Sequence, residues 1–444
     1  MTYIPNTDSD RKQMMAQIGI TDIEELLSDI PGSLKLQRDL NMPAGLSEME
    51  LKKLGIETSE RNTSCHKYAS FLGGGAYDHY IPATVGAVIS RSEFYTSYTP
   101  YQPEISQGNL QSIFEFQTLV CQLTGMDVAN ASMYDGATAL AEAAMMAAHI
   151  TGRGNWVVSG CVNPMYLEVM KTYAWASGNH VLLSNRLSLR TDVEDLLSSI
   201  DRQTACVVVQ NPNFFGSLEQ IAEIESAAHE AGALFIMSVN PISLGILKTP
   251  GEWNADICVA EGQPLGISMG YGGPLLGLFA CKSEYVRHMP GRLVGATKDK
   301  ENRTGYVLTL QTREQHIRRE KATSNICTNE ALYALAASVY LCTLGREGLR
   351  RVADMCFQKA HYAAKNLAKQ TNVEVLSKDP FFHEFVVNCN RSVDEVNAEL
   401  SEHRMVGGLP LGQFYPEMMG CMLVCLTEKR TKSEIDAFVR VLAK

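Results

Sequence analysis

The chain has 444 residues, of which 45% are apolar and 20% are charged. This composition is typical of a globular protein with a large buried core and about two or three domains. The 39 basic and 49 acidic residues give a net charge of -10, which argues against a surface that binds nucleic acid or an anionic membrane. We therefore expect proteins or small molecules as partners.

The 12 cysteines are scattered, with no C-x-x-C pair and no cysteine–histidine cluster at the spacing of metal ligands, so no metal site is predicted. Apolar neighbours, such as those of Cys206 and Cys258, indicate buried thiols. No apolar run approaches the ~18 residues that a membrane-spanning helix needs. The polar first residues also differ from a secretory signal, and together these features predict a cytoplasmic protein.

Residues 1–65 contain short acidic segments with helical leucine spacing, such as "TDIEELLSDIP". Thr21 is the expected N-cap of that segment, with Glu24 three residues later, and Pro31 is expected to end the helix. We expect an N-terminal helical segment that packs on a larger body or on another subunit.

The region from about residue 66 to 106 is rich in glycine, tyrosine and proline, and its aromatic content argues against disorder. It includes a Tyr/Pro-rich arm at residues 91–107. The side chains of Tyr95, Tyr98 and Tyr101 either form a hydroxyl-bearing functional surface or pack as part of a structural arm. The residue types alone do not decide between these alternatives.

Helical patterns then alternate with β-branched strands such as "ACVVVQNP" and "ALFIMSV". This alternation predicts an α/β fold with a mostly parallel sheet covered on both faces. We assign residues 66–320 to this large domain. Residues 321–444 begin with a long helical stretch and are predicted to form a smaller α+β C-terminal domain, and enzymes of this layout commonly bind a ligand between the lobes.

Asp135, Gly136 and Thr138 stand where a helix rich in small residues is predicted to begin. The backbone N–H groups of a helix N-terminus, together with a hydroxyl, would suit a phosphate group. The same residue types cap ordinary helices, and local chemistry favours that simpler interpretation.

A pyridoxal-phosphate enzyme of this layout needs an acid at a strand end and a lysine about one strand later. Asn240 follows the strand "ALFIMSV", and an amide cannot keep a pyridinium protonated. Gln263 lies in the next loop, "AEGQPLGISMGYGGP", and cannot form an imine. Lys248 and Lys282 flank this region and are expected to be surface charges.

Several longer motifs are similar to those of one family. They are the segment "RSEFYTSYTPYQPEISQGNLQSIFEFQTLVCQLTGM" at 91–126, "MGYGGP" at 269–274, "MPGR" at 289–292 and "QTREQHIRREKATSNICT" at 311–328. On these residues the chain resembles the glycine cleavage system P-protein family, and within it the alpha subunit of the two-subunit form. The likeness extends over nearly the whole chain.

The resemblance implies a pyridoxal-phosphate-dependent transferase fold of the aspartate aminotransferase type (fold type I). It also implies a glycine dehydrogenase (aminomethyl-transferring) activity shared with a beta subunit, which carries the pyridoxal phosphate. Aligning on "GYGGP" places Gln263 at the position of the cofactor lysine and Asn240 at the position of the pyridinium acid. Asp135, Gly136 and Thr138 then become vestigial cofactor positions, and no catalytic residue is expected in this chain alone.

The resemblance also implies which residues face the shared site. Tyr95, Tyr98, Tyr101 and Gln107 are expected to line the beta-subunit cofactor or the route of a lipoyl arm. Arg313, His316 and Arg318 form either a carboxylate clamp or, as the charge density slightly favours, an intersubunit salt-bridge network.

The expected function is that of the alpha subunit of glycine decarboxylase. With the beta subunit it would decarboxylate glycine and transfer the aminomethyl group to the lipoyl arm of H-protein, with no activity alone. The alternative is a purely structural scaffold for the beta subunit. Gln263 argues against a third possibility, an autonomous pyridoxal-phosphate enzyme.

Overall fold

The computed structural model describes residues 6–326 and 328–444. The chain forms two compact units, the first ending at Thr63 and the second spanning Ser64–Lys444. Among the described helices, none combines the length and the apolar character that crossing a bilayer requires.

The first unit contains two helices and a 3-10 turn at Ile23–Leu27; the helices are α1 (Asp8–Ile18) and α2 (Glu48–Glu60). Neither helix buries a side chain. The predicted cap at Thr21 is off by one residue, because Asp22 caps the turn and Glu25, not Glu24, returns the hydrogen bond. Thr21 instead donates its hydroxyl to the same Glu25 carboxylate at 2.7 Å.

The second unit contains the remaining elements. Its strands are β1 (Ala69–Ser70), β2 (Val128–Ala129), β3 (Asn155–Val158), β4 (His180–Leu183), β5 (Arg186–Leu187), β6 (Arg190–Thr191), β7 (Thr204–Asn211), β8 (Leu234–Val239), β9 (Ile257–Glu261), β10 (Gly277–Cys281), β11 (Leu293–Lys298), β12 (Thr304–Thr309), β13 (Glu374–Val375), β14 (Glu384–Asn388), β15 (Met405–Val406), β16 (Leu409–Pro410) and β17 (Cys421–Cys425). Its helices are α3 (Ala83–Ile89), α4 (Ser92–Tyr95), α5 (Gln107–Thr124), α6 (Gly136–Thr151), α7 (Pro164–Ser177), α8 (Val193–Ser198), α9 (Ile221–Glu230), α10 (Gln315–Arg318), α11 (Ala331–Leu367), α12 (Val393–Glu402) and α13 (Lys432–Leu442).

The central sheet has seven strands in the order β2-β10-β9-β8-β7-β3-β4. Strands β4, β3, β7, β8 and β9 are mutually parallel, whereas β10 is antiparallel to both of its neighbours. The sheet is therefore mostly parallel, as predicted. Its parallel strands all direct their carboxyl ends to one edge, where ligands of open α/β sheets bind.

Both faces of the central sheet are buried, which explains the nearly continuous apolar runs of its strands. Val207 and Phe235 point to one core with helices α5, α9 and α11. Their sequence neighbours Val208 and Ile236 point to the opposite core with α6 and α7. Successive residues of these strands therefore face opposite cores, as the period-two geometry of a strand requires.

A second, four-stranded antiparallel sheet lies later in the chain, in the order β13-β14-β17-β16. Helices α12 and α13 share its apolar core. These findings confirm the predicted fold class, a mostly parallel α/β sheet with a smaller α+β part. The antiparallel ribbon of β11 and β12 was not predicted, because its outer half is exposed and polar and gives no strong strand pattern in the sequence.

Helix α7 provides a matched test of packing against the sheet. Ala174 is buried in the core, whereas Ala176 on the same helix is exposed. Ala174→Leu should lower the free energy of unfolding by about 1–3 kcal/mol through overpacking, and Ala176→Leu should change it by less than about 0.5 kcal/mol. Urea unfolding measures both, and equal effects would show that this face of α7 is not packed against the sheet.

Candidate functional site

The candidate site is a small cavity at the carboxyl edge of the central sheet. It is lined by the ends of β7, β8 and β9, by the segment around Gly74 and Tyr77, and by His383 and Glu384 at the start of β14. No lysine, arginine or aspartate is among its lining residues. The cavity offers only about 30 Å³, room for about two water molecules.

Glu261, the last residue of β9, is buried and its carboxylate accepts three backbone hydrogen bonds. Oε2 accepts the Gly136 N–H at 2.9 Å, and Oε1 accepts the N–H groups of Gln263 at 2.9 Å and Leu276 at 3.0 Å. Burial raises the pKa of Glu261 to about 7, and the backbone N–H groups oppose that rise. The carboxyl group joins the start of α6 to both ends of the loop between β9 and β10.

Gln263 lies in the loop after β9, and only 2% of the residue is exposed. Its Oε1 accepts the Tyr77 N–H at 2.8 Å, and its Nε2 donates to the Tyr77 carbonyl at 3.0 Å and to the Ile267 carbonyl at 2.8 Å. The amide therefore uses its acceptor and both donors inside the protein. Only the amide side chains, those of glutamine and asparagine, offer this combination of one acceptor and two donors.

Glu384 is the second buried carboxyl group at the cavity. Oε1 accepts the Gly74 N–H at 2.7 Å, and Oε2 accepts the Tyr77 hydroxyl at 2.9 Å. Burial raises its pKa to about 7, against the effect of these two donors. Tyr77 thus binds Glu384 through its hydroxyl and Gln263 through its backbone.

Two polar side chains at the cavity keep unpaired nitrogen atoms. Asn240, directly after β8, accepts the Ile242 N–H through Oδ1 at 2.9 Å, but its Nδ2 is buried without a partner. His383 is 2% exposed, and neither of its ring nitrogens has a partner. Burial lowers the pKa of His383 well below its usual value, so the ring is neutral.

The N-terminus of α6 has the capping geometry of an ordinary helix. The Thr138 N–H and hydroxyl donate to Asp135 Oδ1 at 2.7 Å and 3.0 Å, and Gly136 donates to Glu261. A Cβ at Gly136 would lie 2.6 Å from the Tyr166 hydroxyl, so the close approach requires glycine. Protein acceptors therefore already hold the N–H groups that a phosphate would need.

The tyrosines and the glutamine of the arm do not line this cavity. Tyr95 and Tyr98 are exposed, at 68% and 83%. Tyr101 accepts a hydrogen bond from Arg292 Nη2 at 3.1 Å. The Gln107 amide donates to the Tyr306 carbonyl at 2.8 Å and accepts the Tyr306 N–H at 2.8 Å, which ties α5 to β12.

The predicted basic cluster separates into buried and exposed members. Arg313 is buried and donates to the carbonyls of Leu310, Met289 and Gly291, and burial lowers its pKa. Arg318 is exposed at the end of α10. His316 is half-exposed, with Nδ1 at 3.5 Å from Glu314. Arg313 supports the fold here, while the other two remain available to a partner.

Lys248 and Lys282 do not line the cavity either. The Lys248 ammonium lies 4.7 Å from the centre of the Trp253 ring. Lys282 pairs at 2.6 Å with the buried carboxylate of Asp256, so it is an anchored charge and not the free surface charge expected.

One buried group has the composition of a metal site. Ligand atoms of His79, Cys356 and Glu428 lie within 4.8 Å of one another, the one such group among residues 6–326 and 328–444. His79 Nδ1 is 2.7 Å from Glu428, and the Cys356 thiol donates to the same carboxylate at 3.5 Å. Burial by itself would raise the pKa of Glu428, but the hydrogen bond and charge of His79 lower it to about 2. Burial raises the pKa of Cys356. Hydrogen bonds to the Glu428 carboxylate hold the three groups together, while His79 Nε2 is buried and has no hydrogen-bond partner within residues 6–326 and 328–444.

Tyr77, Glu261, His383 and Glu384 belong to the site but were missed as site residues from the sequence. Glu261 has a weak signal, since it is the one acidic residue of the segment 261–278. His383 and Glu384 carry a usable signal, since "FFHEFVV" places two ionisable residues inside an apolar strand. Tyr77 has no local signal that separates it from the other tyrosines of its region.

The raised pKa of Glu384 predicts a pH-dependent stability. The folded protein binds this proton more tightly than the unfolded chain, whose ordinary value is 4.5. The stabilisation that comes from this tighter proton binding is therefore complete below about pH 4.5 and is lost as the pH rises through 7. Glu384→Gln should become more stable relative to the wild type between pH 5 and pH 8, by about 3 kcal/mol.

The measurement is urea unfolding of both proteins across this pH range. Glu223→Gln, at an exposed position of α9, should show no such trend. A difference between Glu384→Gln and wild type that is constant with pH would contradict the raised pKa.

Comparison with known proteins gives one consistent result. The sequence model of the "Glycine cleavage system P-protein" family matches residues 1–442. A relative from Desulfitobacterium hafniense, "Probable glycine dehydrogenase (decarboxylating) subunit 1", is 51% identical over 439 residues, covering 99% of this chain and 98% of its own. A relative of the same description from Moorella thermoacetica is 52% identical and covers 100% of this chain and 99% of its own.

Solved structures agree. A crystal structure of glycine decarboxylase (P-protein) of the glycine cleavage system, in inhibitor-bound form, superimposes with a TM-score of 0.91 at 41% identity, covering 100% of this chain and 99% of the other. A sphingosine-1-phosphate lyase of Burkholderia pseudomallei reaches a TM-score of 0.66 at 14% identity over 93% of this chain and 94% of its own, and so shares the fold alone. Because the family model and these relatives match from end to end, the chain belongs to the glycine cleavage system P-protein family.

Proposed function

We propose that this chain is the subunit of a two-subunit glycine dehydrogenase (decarboxylating) that does not hold the cofactor. Relatives that it matches over their full length are named as subunit 1 of that enzyme, which implies a second subunit. The proposed reaction of the assembly is decarboxylation of glycine with transfer of the aminomethyl group to the lipoyl arm of H-protein.

The observation that carries this proposal is the hydrogen-bonding of Gln263. An amide in place of the lysine cannot form an imine, and here its polar atoms are committed to the backbone of Tyr77 and Ile267. A replaceable surface residue would not be held by three hydrogen bonds. These hydrogen bonds support a structural role for Gln263 in place of a catalytic one.

Neither the cavity lining nor the helix start beside it fits pyridoxal phosphate. Asn240 cannot supply the negative charge that a pyridinium nitrogen requires. Gly136 and Thr138 already donate to Glu261 and Asp135, and the lining contains no cation to balance a phosphate. Room for about two water molecules is also far too small for the cofactor. We therefore assign the pyridoxal phosphate to the second subunit.

The contribution proposed for this chain is a wall of the shared site. The side chains of Tyr95 and Tyr98 are exposed. Exposed side chains are what we expect of a surface that a partner subunit covers. Tyrosine gives such a wall an apolar ring and a hydroxyl that can hydrogen-bond to substrate. Burial between subunits would also exclude water from the glycine carboxylate.

A purely structural role is the second candidate, because two of the residues expected near the shared site are instead used inside this chain. Gln107 and Arg313, both expected near the shared site, use their polar atoms to hold parts of this chain together. These two residues support the fold under either proposal, so the exposed tyrosines must discriminate.

The cofactor assignment predicts where a borohydride-reduced adduct forms. The chain alone, mixed with pyridoxal phosphate, should give no saturable imine absorbance and no reduced peptide adduct. The complex with its second subunit should give an adduct on that subunit only. A saturating adduct on Lys248 or Lys282 that supports turnover would contradict the assignment.

The shared-site proposal predicts a kinetic effect of the arm. Tyr98→Phe in the assembled enzyme should lower kcat/KM for glycine decarboxylation about tenfold, the loss of one hydrogen bond to the reacting substrate. Tyr80→Phe, which alters an exposed tyrosine outside the arm, serves as the control. Wild-type turnover of Tyr95→Phe and Tyr98→Phe in intact complexes would favour the scaffold.

A further inference from the structure

A second cavity of about 400 Å³ lies between the last turns of α6, the 3-10 turn Ser283–His288 and the loop 310–323. It is more than ten times larger than the cavity at the strand ends. Its lining is notable for the number of basic side chains, which are His149, Arg287, His288, Arg313, Arg318 and Lys321. We call it the basic cleft.

The basic cleft has no acidic residue among the side chains that line it. Arg287, Arg318 and Lys321 form no ion pair with any of residues 6–326 and 328–444. The chain as a whole carries a net charge of -10, so this concentration of positive charge runs against its average. These three like charges, gathered close together without ion-pair partners among the described residues, repel one another, and a bound anion would relieve that repulsion.

Two histidines of the cleft lie close together. The ring centres of His149 and His288 are 5.3 Å apart, and the two ring planes are tilted by 50°. Burial lowers the pKa of His288, and the neighbouring His149 lowers it further. No carboxylate is close enough to act in the opposite direction.

Arg313 gives the cleft a fixed floor. Its guanidinium donates to the carbonyls of Leu310, Met289 and Gly291, so it joins the loop 310–323 to the segment that follows His288. The exposed cations Arg287 and Lys321 extend from the two segments that Arg313 connects. A pre-formed arrangement of this kind reduces the entropy lost on binding.

We propose that the basic cleft binds a multivalent oxyanion, carried as carboxylate or phosphate groups. Guanidinium groups match the planar oxygens of both, and lysine adds a point charge. The volume admits a group larger than a single inorganic ion. This site is distinct from the strand-end cavity, and the proposal does not depend on the proposed function.

The first test is isothermal titration of the full chain with inorganic phosphate and with citrate, at constant ionic strength set by sodium chloride. The double variant Arg287→Gln/Lys321→Gln should weaken binding at least tenfold. The matched control, Arg346→Gln/Arg350→Gln, removes the same charge from another cavity, which also contains Glu252 and Glu347, and should leave binding unchanged.

Absence of binding by the wild type, or an equal loss in both double variants, would overturn the proposal. A second arm repeats the titration on the complex with the second subunit and identifies the source of the oxyanion. Retained binding supports a free solute as the ligand. Loss of binding, together with weaker subunit association in phosphate than in chloride, supports carboxylates of the second subunit as the groups that fill the cleft.

Discussion

The arrangement of the strand-end site depends on the hydrogen bonds between the Gln263 amide and the backbone of Tyr77. They connect the loop after β9 to a segment almost 190 residues earlier in the chain. Tyr77 then continues the connection to Glu384 on the second sheet. A buried amide that lost these partners would leave several polar atoms unsatisfied, so the three segments hold one another in place.

Two buried carboxyl groups complete this network, and their electrostatics follow from the same geometry. Glu261 and Glu384 accept backbone and hydroxyl donors, yet burial still raises the pKa of each to about 7. At neutral pH the cavity therefore combines two partly protonated acids with a neutral His383. In open α/β sheets this edge usually holds the reactive groups, whereas in this chain it holds structural hydrogen bonds. The unpaired positive charge lies elsewhere, in the basic cleft.

The sequence predicted the α/β architecture because the strands are apolar on both faces and the helices between them have clear periodicity. Asn240 and Gln263 were placed at the right strand ends because such ends are defined by the strands themselves. The partners of Gln263 could not be predicted, because Tyr77 and Glu384 reach it only through long-range folding. The one-residue error at Thr21 arose because Asp22 is an equally good cap, and only backbone geometry chooses between them. The basic cleft was predicted only in part, since Arg313 and Arg318 belong to one motif whereas His149, Arg287 and His288 come from distant segments.

The hydrogen bond from Gly136 to Glu261 also bears on how the chain could change over evolutionary time. An anion at this helix end would have to replace the Glu261 carboxylate. Removing that carboxylate alone would leave the N–H groups of Gly136, Gln263 and Leu276 buried without an acceptor, at about 1–3 kcal/mol for each group. A single substitution of Glu261 therefore frees the helix end only by destabilising the fold around it. The buried carboxylate is for this reason difficult to replace one residue at a time, and the start of α6 is conformationally committed to its present partner.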